Sequence, residues 1–78
     1  MEIRYQDRAI SKIEFVNIAE KLRFDLALSH KQFADNMGVN MAAYVKWTKG
    51  YNEPGFLSMS HMIKYMKSME IPVDVVIK

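Results

Sequence analysis

The spacing of hydrophobic and polar positions predicts four helices, with short β-type segments at both ends of the chain. The first helix should cover residues 12–27, because Ser11 and Glu14 have the spacing of a capping box. Hydrophobic residues three and four positions apart then form one stripe that we expect to be buried: Phe15, Ile18 or Ala19, Leu22 and Leu26. Arg23 and Asp25 fall off this stripe.

A second, shorter helix is predicted over residues 30–37. Ser29 is a suitable N-cap, and Gln32 stands at the matching capping-box position. A hydrophobic face is formed by Phe33, Ala34 and Met37. Gly38 should end the helix, because glycine adopts the left-handed conformation without steric cost.

A third helix is predicted directly after this turn, over residues 41–49. Asn40 is its expected N-cap, and Gly50 should end it. Tyr44 and Trp47 are three residues apart and should point into the core, so the remaining side chains of the helix face mainly outward.

After a turn-rich loop at residues 51–55, a fourth helix should be capped by Ser58 or Ser60 and reach Met69. Seven methionines are many for 78 residues. Four of them, Met59, Met62, Met66 and Met69, lie at helical spacing in helix 4, and we interpret them as flexible core packing.

The two ends favour strands, because residues 2–6 alternate in polarity and the tail after Pro72 is rich in β-branched residues. These strands could pair with each other within one chain or across a two-fold axis. Residues 1–10 and 71–78 are therefore the predicted dimerisation ends, and their hydrophobic members are Ile3, Tyr5, Val73, Val75 and Ile77.

Composition limits the functions open to the chain. Half of its residues are hydrophobic and 26% are charged, which indicates one globular domain over residues 1–78. The absence of cysteine excludes disulfides, thiolate metal sites and a cysteine nucleophile. We find no catalytic motif, metal spacing, cofactor site, signal peptide or membrane span, and expect a non-catalytic cytoplasmic protein without a small-molecule effector.

The net charge of +2 falls within one region. Lysines and arginines balance acidic residues before residue 29 and after residue 52. Between these positions, Lys31, Lys46 and Lys49 face Asp35 alone. Such an excess favours contact with phosphates, although a difference of two charges could also arise by chance.

Several short motifs, in order and at suitable spacing, give the chain a resemblance to the lambda-repressor-like helix-turn-helix proteins. They lie within residues 15–75 and comprise Leu28-Ser29, Phe33-Ala34, Gly38-Val39, Tyr44-x-x-Trp47-x-x-Gly50, Pro54-Gly55-Phe56-Leu57 and Ile71-Pro72-Val73-Asp74. The family includes phage repressors, Cro proteins and the Xre group. The resemblance implies a mainly α domain of four or five helices, with a small terminal β element of the kind found in the Cro branch.

The chain also departs from the family pattern. His30 stands where relatives usually carry a glutamine that contacts a phosphate, and Thr48 stands where many carry glutamate. A β-branched tail replaces the fifth helix of typical Xre domains.

The resemblance implies a dimeric, sequence-specific DNA-binding regulator, with the third helix in the major groove. Its base-contacting positions correspond to Met41, Ala42, Val45 and Lys46. Phosphate contacts are expected from Ser29, His30, Lys31, Asn40, Lys49 and Asn52. Met41 and Ala42 can pack on thymine methyl groups, and Lys46 can reach guanine or a phosphate. The alternative is a protein-interaction module, such as an antitoxin or an inhibitor, built on the same fold.

Overall fold

The computed structural model describes residues 2–76, which form four helices and one small sheet. The helices are α1 (Lys12–Asp25), α2 (His30–Met37), α3 (Met41–Thr48) and α4 (Phe56–Ser68). The strands are β1 (Glu2–Tyr5), β2 (Arg8–Ile10) and β3 (Val73–Val76). The expectation of a mainly helical domain with a small terminal β element is confirmed.

A hairpin that the sequence analysis missed opens the chain. β1 and β2 are antiparallel and joined by Gln6 and Asp7, which both have positive φ, at 52° and 63°. A two-residue turn of this hand matches the twist of the strands and usually contains asparagine or glycine. The pair Gln6-Asp7 lacks that signature, so strand β2 was not predicted.

The terminal strands pair within one chain. β1 is the central strand of the order β2-β1-β3, with Ile3 opposite Val75 and Tyr5 opposite Val73. Ile3 and Val73 are buried in the core, and Tyr5 and Val75 are half-buried against it. The structure thus shows the within-chain pairing that the sequence left open, with these four side chains packed inside this chain. Their role in dimerisation stays a prediction. Ile77 lies outside the described residues.

The N-termini of the first three helices follow the predicted caps. Ser11 and Glu14 form the capping box of α1, and Ser29 and Gln32 form that of α2. In α4 the prediction was wrong, because the helix starts earlier and Gly55 is its N-cap. Ser60 lies inside the helix, where its hydroxyl donates to the Phe56 carbonyl at 3.0 Å.

The core is made by one face of each helix and by the inner face of the sheet. α2 packs against both α3 and α4, α1 packs against α3, and α4 packs against β3. Predicted burial is confirmed for Phe15, Ala19 and Leu22 in α1, whereas Ile18 is only half-buried. Met59, Met62 and Met66 fill the core side of α4, but Met69 is 38% exposed.

Helix α1 ends at Asp25, two residues earlier than predicted, through a left-handed residue at Ala27. The Ala27 N–H donates to the Phe24 carbonyl at 3.0 Å, and the next N–H reaches the Arg23 carbonyl at 3.2 Å. Ala27 has a φ of 56°, a conformation that alanine adopts only with steric strain. A glycine would satisfy the same turn without that strain.

We therefore expect Ala27→Gly to raise the free energy of unfolding by up to about 1 kcal/mol. The matched control is Ala42→Gly in the exposed first turn of α3, which should lower the free energy of unfolding by up to about 1 kcal/mol, because glycine loses more backbone entropy in a helix than alanine. Urea denaturation followed by circular dichroism measures both. Loss of stability in Ala27→Gly comparable to that of the control would contradict the strain at residue 27.

Candidate nucleic-acid interface

A three-residue turn connects α2 to α3 and sets their relative position. Gly38 has a φ of 78°, and its N–H donates to the Ala34 carbonyl at 2.9 Å. A Cβ at Gly38 would also lie 3.2 Å from the His61 imidazole. The Asn40 side chain then caps α3 by accepting from the Ala43 N–H at 3.0 Å. Both expectations for this turn are confirmed.

Helix α3 separates a buried face from an exposed one. Tyr44 is completely buried and Trp47 is 8% exposed, as predicted. Their rings meet edge to face, with centroids 6.1 Å apart. The residues predicted to contact bases lie elsewhere on the helix: Met41, Ala42 and Lys46 are exposed, and Val45 is half-buried. Val45 therefore offers less surface than the other three.

The exposed face of α3 carries no acidic residue. Within residues 2–76, Lys46 and Lys49 form no ion pair, so their ammonium groups are available to an anion. Lys31 differs, because its ammonium lies 3.2 Å from the Asp35 carboxylate on the same helix. Both side chains of that pair are mostly exposed, so the pair contributes little energy and can be exchanged for a phosphate.

The polar side chains predicted to contact phosphates are partly occupied by helix capping. Ser29 Oγ accepts from the Gln32 N–H at 3.1 Å, and Asn40 Oδ1 is the cap acceptor of α3. The Ser29 hydroxyl hydrogen and the Asn40 amide hydrogens remain as donors, which suits contact with phosphate oxygens. Asn52 is exposed in the loop that follows α3.

His30 lies at the start of α2 but points partly toward the protein. Its Nε2 is 3.5 Å from Glu20 Oε1, and its ring centroid is 6.1 Å from that of Tyr44. The imidazole is therefore half-exposed and shares its surroundings with a carboxylate. A phosphate contact from His30 would compete with this neighbour.

Behind the exposed face of α3 lies a polar cluster that the sequence analysis missed. Arg23 is only 8% exposed, although we expected it off the buried stripe. Its guanidinium donates to both Glu20 carboxylate oxygens, at 2.7 and 3.2 Å, and to the Leu28 carbonyl at 2.8 Å. The Tyr44 hydroxyl donates to the same carboxylate at 2.7 Å. The only sequence signal was the three-residue spacing of Glu20 and Arg23.

This cluster connects α1 to α3 through the Glu20 carboxylate and the Tyr44 hydroxyl, whose pKa values are both shifted by their surroundings. Burial alone would raise the pKa of Glu20, but hydrogen bonds from Arg23 and Tyr44 hold it below its ordinary value. Burial and the bond to Glu20 both raise the pKa of Tyr44, so its phenol stays protonated and donates. The cluster thus fixes the buried side of α3 with an ionised acceptor.

A groove of about 460 Å³ runs beside the C-terminal end of α3. It lies between the first turn of α1 and the loop that leads to α4. Its rim carries Lys12, Lys49 and Asn52, together with the exposed side chains of Ile13 and Tyr51. Two of the predicted phosphate contacts, Lys49 and Asn52, are therefore brought together here.

Within residues 2–76, no three histidine, aspartate or glutamate side chains are grouped so as to hold a metal ion. No helix in this part of the chain is long and apolar enough to cross a membrane.

The chain was also compared with known proteins. No family model matches it, and neither the curated proteins nor the solved structures gave a match.

Proposed function

We propose that the chain is a small transcriptional regulator of the phage, plasmid or mobile-element type, which binds double-stranded DNA in a sequence-specific manner. In this proposal α2, the turn and α3 form a lambda-repressor-like helix-turn-helix, and α3 enters the major groove. The observation that carries it is the exposed face of α3, which has no acidic residue and has a lysine, Lys46, that forms no ion pair with any residue from 2 to 76. Its opposite face is anchored in the core by Tyr44 and Trp47.

The side chains on this face define the kind of readout. Met41 is 42% exposed at the start of α3, and Ala42 follows it. Neither can form directional hydrogen bonds, but both can pack on thymine methyl groups. Lys46, one turn further along, is the donor for a guanine edge or a phosphate. Val45 adds apolar contact at the margin of this surface.

Phosphate contacts would position α3 and supply most of the affinity. Lys49 and Asn52 are suited to one DNA strand from the groove beside α3. The other strand would meet the N-terminus of α2, where Ser29, Lys31 and His30 are close in sequence to the first helical N–H groups. Asn40 stands between these two regions, at the start of α3.

Two copies on neighbouring half-sites, roughly 34–36 Å apart, would give this small domain useful specificity. The terminal strands are occupied within each chain, so we propose that the two copies assemble on the DNA. The proposed function involves no catalytic step and no cofactor, and it implies a location where DNA is accessible, as in the cytoplasm.

Selection from a random duplex library tests the proposal and should return a site rich in A·T pairs, with two related halves. On that site, Lys46→Ala should weaken specific binding by about 1–3 kcal/mol if Lys46 contacts a base. If Lys46 contacts a phosphate instead, specific and nonspecific binding should weaken alike and the salt slope should fall by about one. Fluorescence anisotropy over a salt series measures both quantities.

The matched control is Lys64→Ala, which removes the same charge from an exposed position on α4. It should change DNA affinity much less than Lys46→Ala. Failure of the selection to enrich any sequence would contradict sequence-specific binding. If Lys46→Ala left DNA affinity unchanged but abolished binding of a protein partner, the chain would instead be an interaction module of the antitoxin or inhibitor class.

A further inference from the structure

Strand β3 lies at an edge of the sheet, because the strand order is β2-β1-β3. Its far side has no neighbouring strand within the described residues. Such an edge offers N–H and C=O groups to any chain that can add a strand. A second copy of the chain can pair with β3 only if the outward N–H and C=O groups of this strand are not already hydrogen-bonded.

The pairing in the hairpin determines which N–H and C=O groups of β1 point toward β2 and which point toward β3. Tyr5 pairs with Arg8 across the two-residue turn, so its N–H and C=O are directed toward β2. The next residue, Gln6, donates its N–H in the opposite direction, to the Pro72 carbonyl at 3.0 Å. The direction of the backbone N–H and C=O groups alternates along a strand, so those of Glu2 and Arg4 in β1 also point toward β3.

In the register of the two strands, Arg4 pairs with Asp74 of β3 and Glu2 pairs with Val76, so the N–H groups of Asp74 and Val76 point toward β1. The N–H groups of Val73 and Val75 must then point away from β1, toward the open edge. These are the two outward donors of β3, to which the carbonyl groups of a second strand would bond.

Both outward donors are already satisfied within the chain. The Val75 N–H donates to Asp74 Oδ1 at 2.8 Å, and the Val73 N–H donates to the Ile71 carbonyl at 2.8 Å. Asp74 Oδ1 also accepts from Lys67 Nζ of α4 at 3.0 Å. The hydrogen bonds from Lys67 and from the Val75 N–H lower the pKa of Asp74, so the carboxylate stays charged.

The charge of Asp74 adds a second obstacle. In a two-fold antiparallel pair of β3 strands centred on this residue, Asp74 of one copy would lie opposite Asp74 of the other. Like charges directly opposite each other destabilise a strand pair. The same side chain therefore blocks an edge donor and repels a second copy.

We propose that Asp74 keeps the β3 edge closed to a second copy of this chain, and that removing its carboxylate opens a self-association surface. The free chain does not form dimers through β3, although Val75 and Val76 are half-buried and β-branched and would suit an added strand. This closed edge is a property of the protein without DNA and is independent of whether the chain binds DNA.

The test is the molar mass in solution of the full chain and of Asp74→Ala, measured by light scattering over a concentration series. The wild-type mass should stay at 9.1 kDa, whereas that of Asp74→Ala should rise toward twice this value. Lys67→Ala is the matched control, since it removes the ion pair but keeps the acceptor for Val75, and its mass should stay at the wild-type value.

A second substitution identifies the surface. Val75→Pro removes an N–H that points away from β1, so the β1–β3 ladder survives, and proline is tolerated at such edge positions. The double variant of Asp74→Ala and Val75→Pro should return to the wild-type mass, with its helical circular dichroism unchanged. An Asp74→Ala mass equal to that of the wild type at every concentration, or a double variant that still associates, would overturn the proposal.

Discussion

Replacing Phe33 with alanine should lower the free energy of unfolding by about 4 kcal/mol. Phe33 is completely buried, and its ring meets Tyr44 and Tyr65 edge to face, with centroids 5.6 and 5.8 Å away. It therefore joins α2 to both α3 and α4. Truncation would remove these contacts and leave a cavity between three helices. In a domain of this size the loss should lower the melting temperature by at least about 15 °C.

The same substitution at an exposed phenylalanine is the matched control. Phe24 is 69% exposed, and its ring lies 4.4 Å from the Arg23 guanidinium carbon. Phe24→Ala should lower the free energy of unfolding by no more than about 1 kcal/mol, the size of an exposed cation–π contact. Thermal and urea denaturation of both variants measure the difference. Similar losses at the two positions would contradict the packing of α2 between α3 and α4.

Replacing Glu20 with alanine should lower the free energy of unfolding by about 3 kcal/mol. The carboxylate accepts two hydrogen bonds from the buried Arg23 guanidinium and one from Tyr44. Its removal would leave the buried Arg23 cation with the Leu28 carbonyl but no counter-ion, and would leave the buried Tyr44 hydroxyl without this acceptor. The matched control is Asp35→Ala, which breaks an exposed ion pair with Lys31 and should cost no more than about 0.5 kcal/mol.

The contribution of Glu20 should also depend on pH. Its pKa is lower in the folded protein than its ordinary value of 4.5, so the folded state binds fewer protons than the unfolded state. The stabilisation is therefore complete above pH 4.5 and is lost as the pH falls through the lower folded-state pKa. The stability difference between the wild type and Glu20→Gln should shrink over this acidic range. A difference that stayed constant from pH 7 to the acid limit of folding would contradict an ionised Glu20.

The substitutions of Phe33 and Glu20 test how the helices are packed, whereas Lys46→Ala tests the proposed DNA-binding surface. Tyr44 shows how the two are connected, because it lies on the buried side of α3 and donates to Glu20. If α3 binds DNA as proposed, a weakened cluster should impair that binding by displacing α3, without removing any of the proposed contact residues. Comparing affinities at temperatures where each variant is fully folded separates the two effects.

Sequence alone was sufficient for the features that depend on residues close together in the chain. The capping boxes of α1 and α2, the left-handed Gly38 and the Asn40 cap all involve groups within four residues of one another. Their hydrogen bonds form in any context where the helix forms, so their signals can be recognised directly. Helical periodicity likewise predicts that Tyr44 and Trp47 lie on the buried face of α3 and Lys46 on its exposed face.

Only the tertiary structure decided the features that depend on distant residues. Arg23 and Glu20 are covered because α3 packs against α1 and brings Tyr44, 24 residues from Glu20 in sequence, onto the same carboxylate. The local spacing of Glu20 and Arg23 carries no information about that packing. β1 pairs with β3 across most of the chain length, and the alternation in either strand fits a dimer equally well. Strand pairing and charge burial are set by what lies opposite in space, so they emerged only once all four helices were packed.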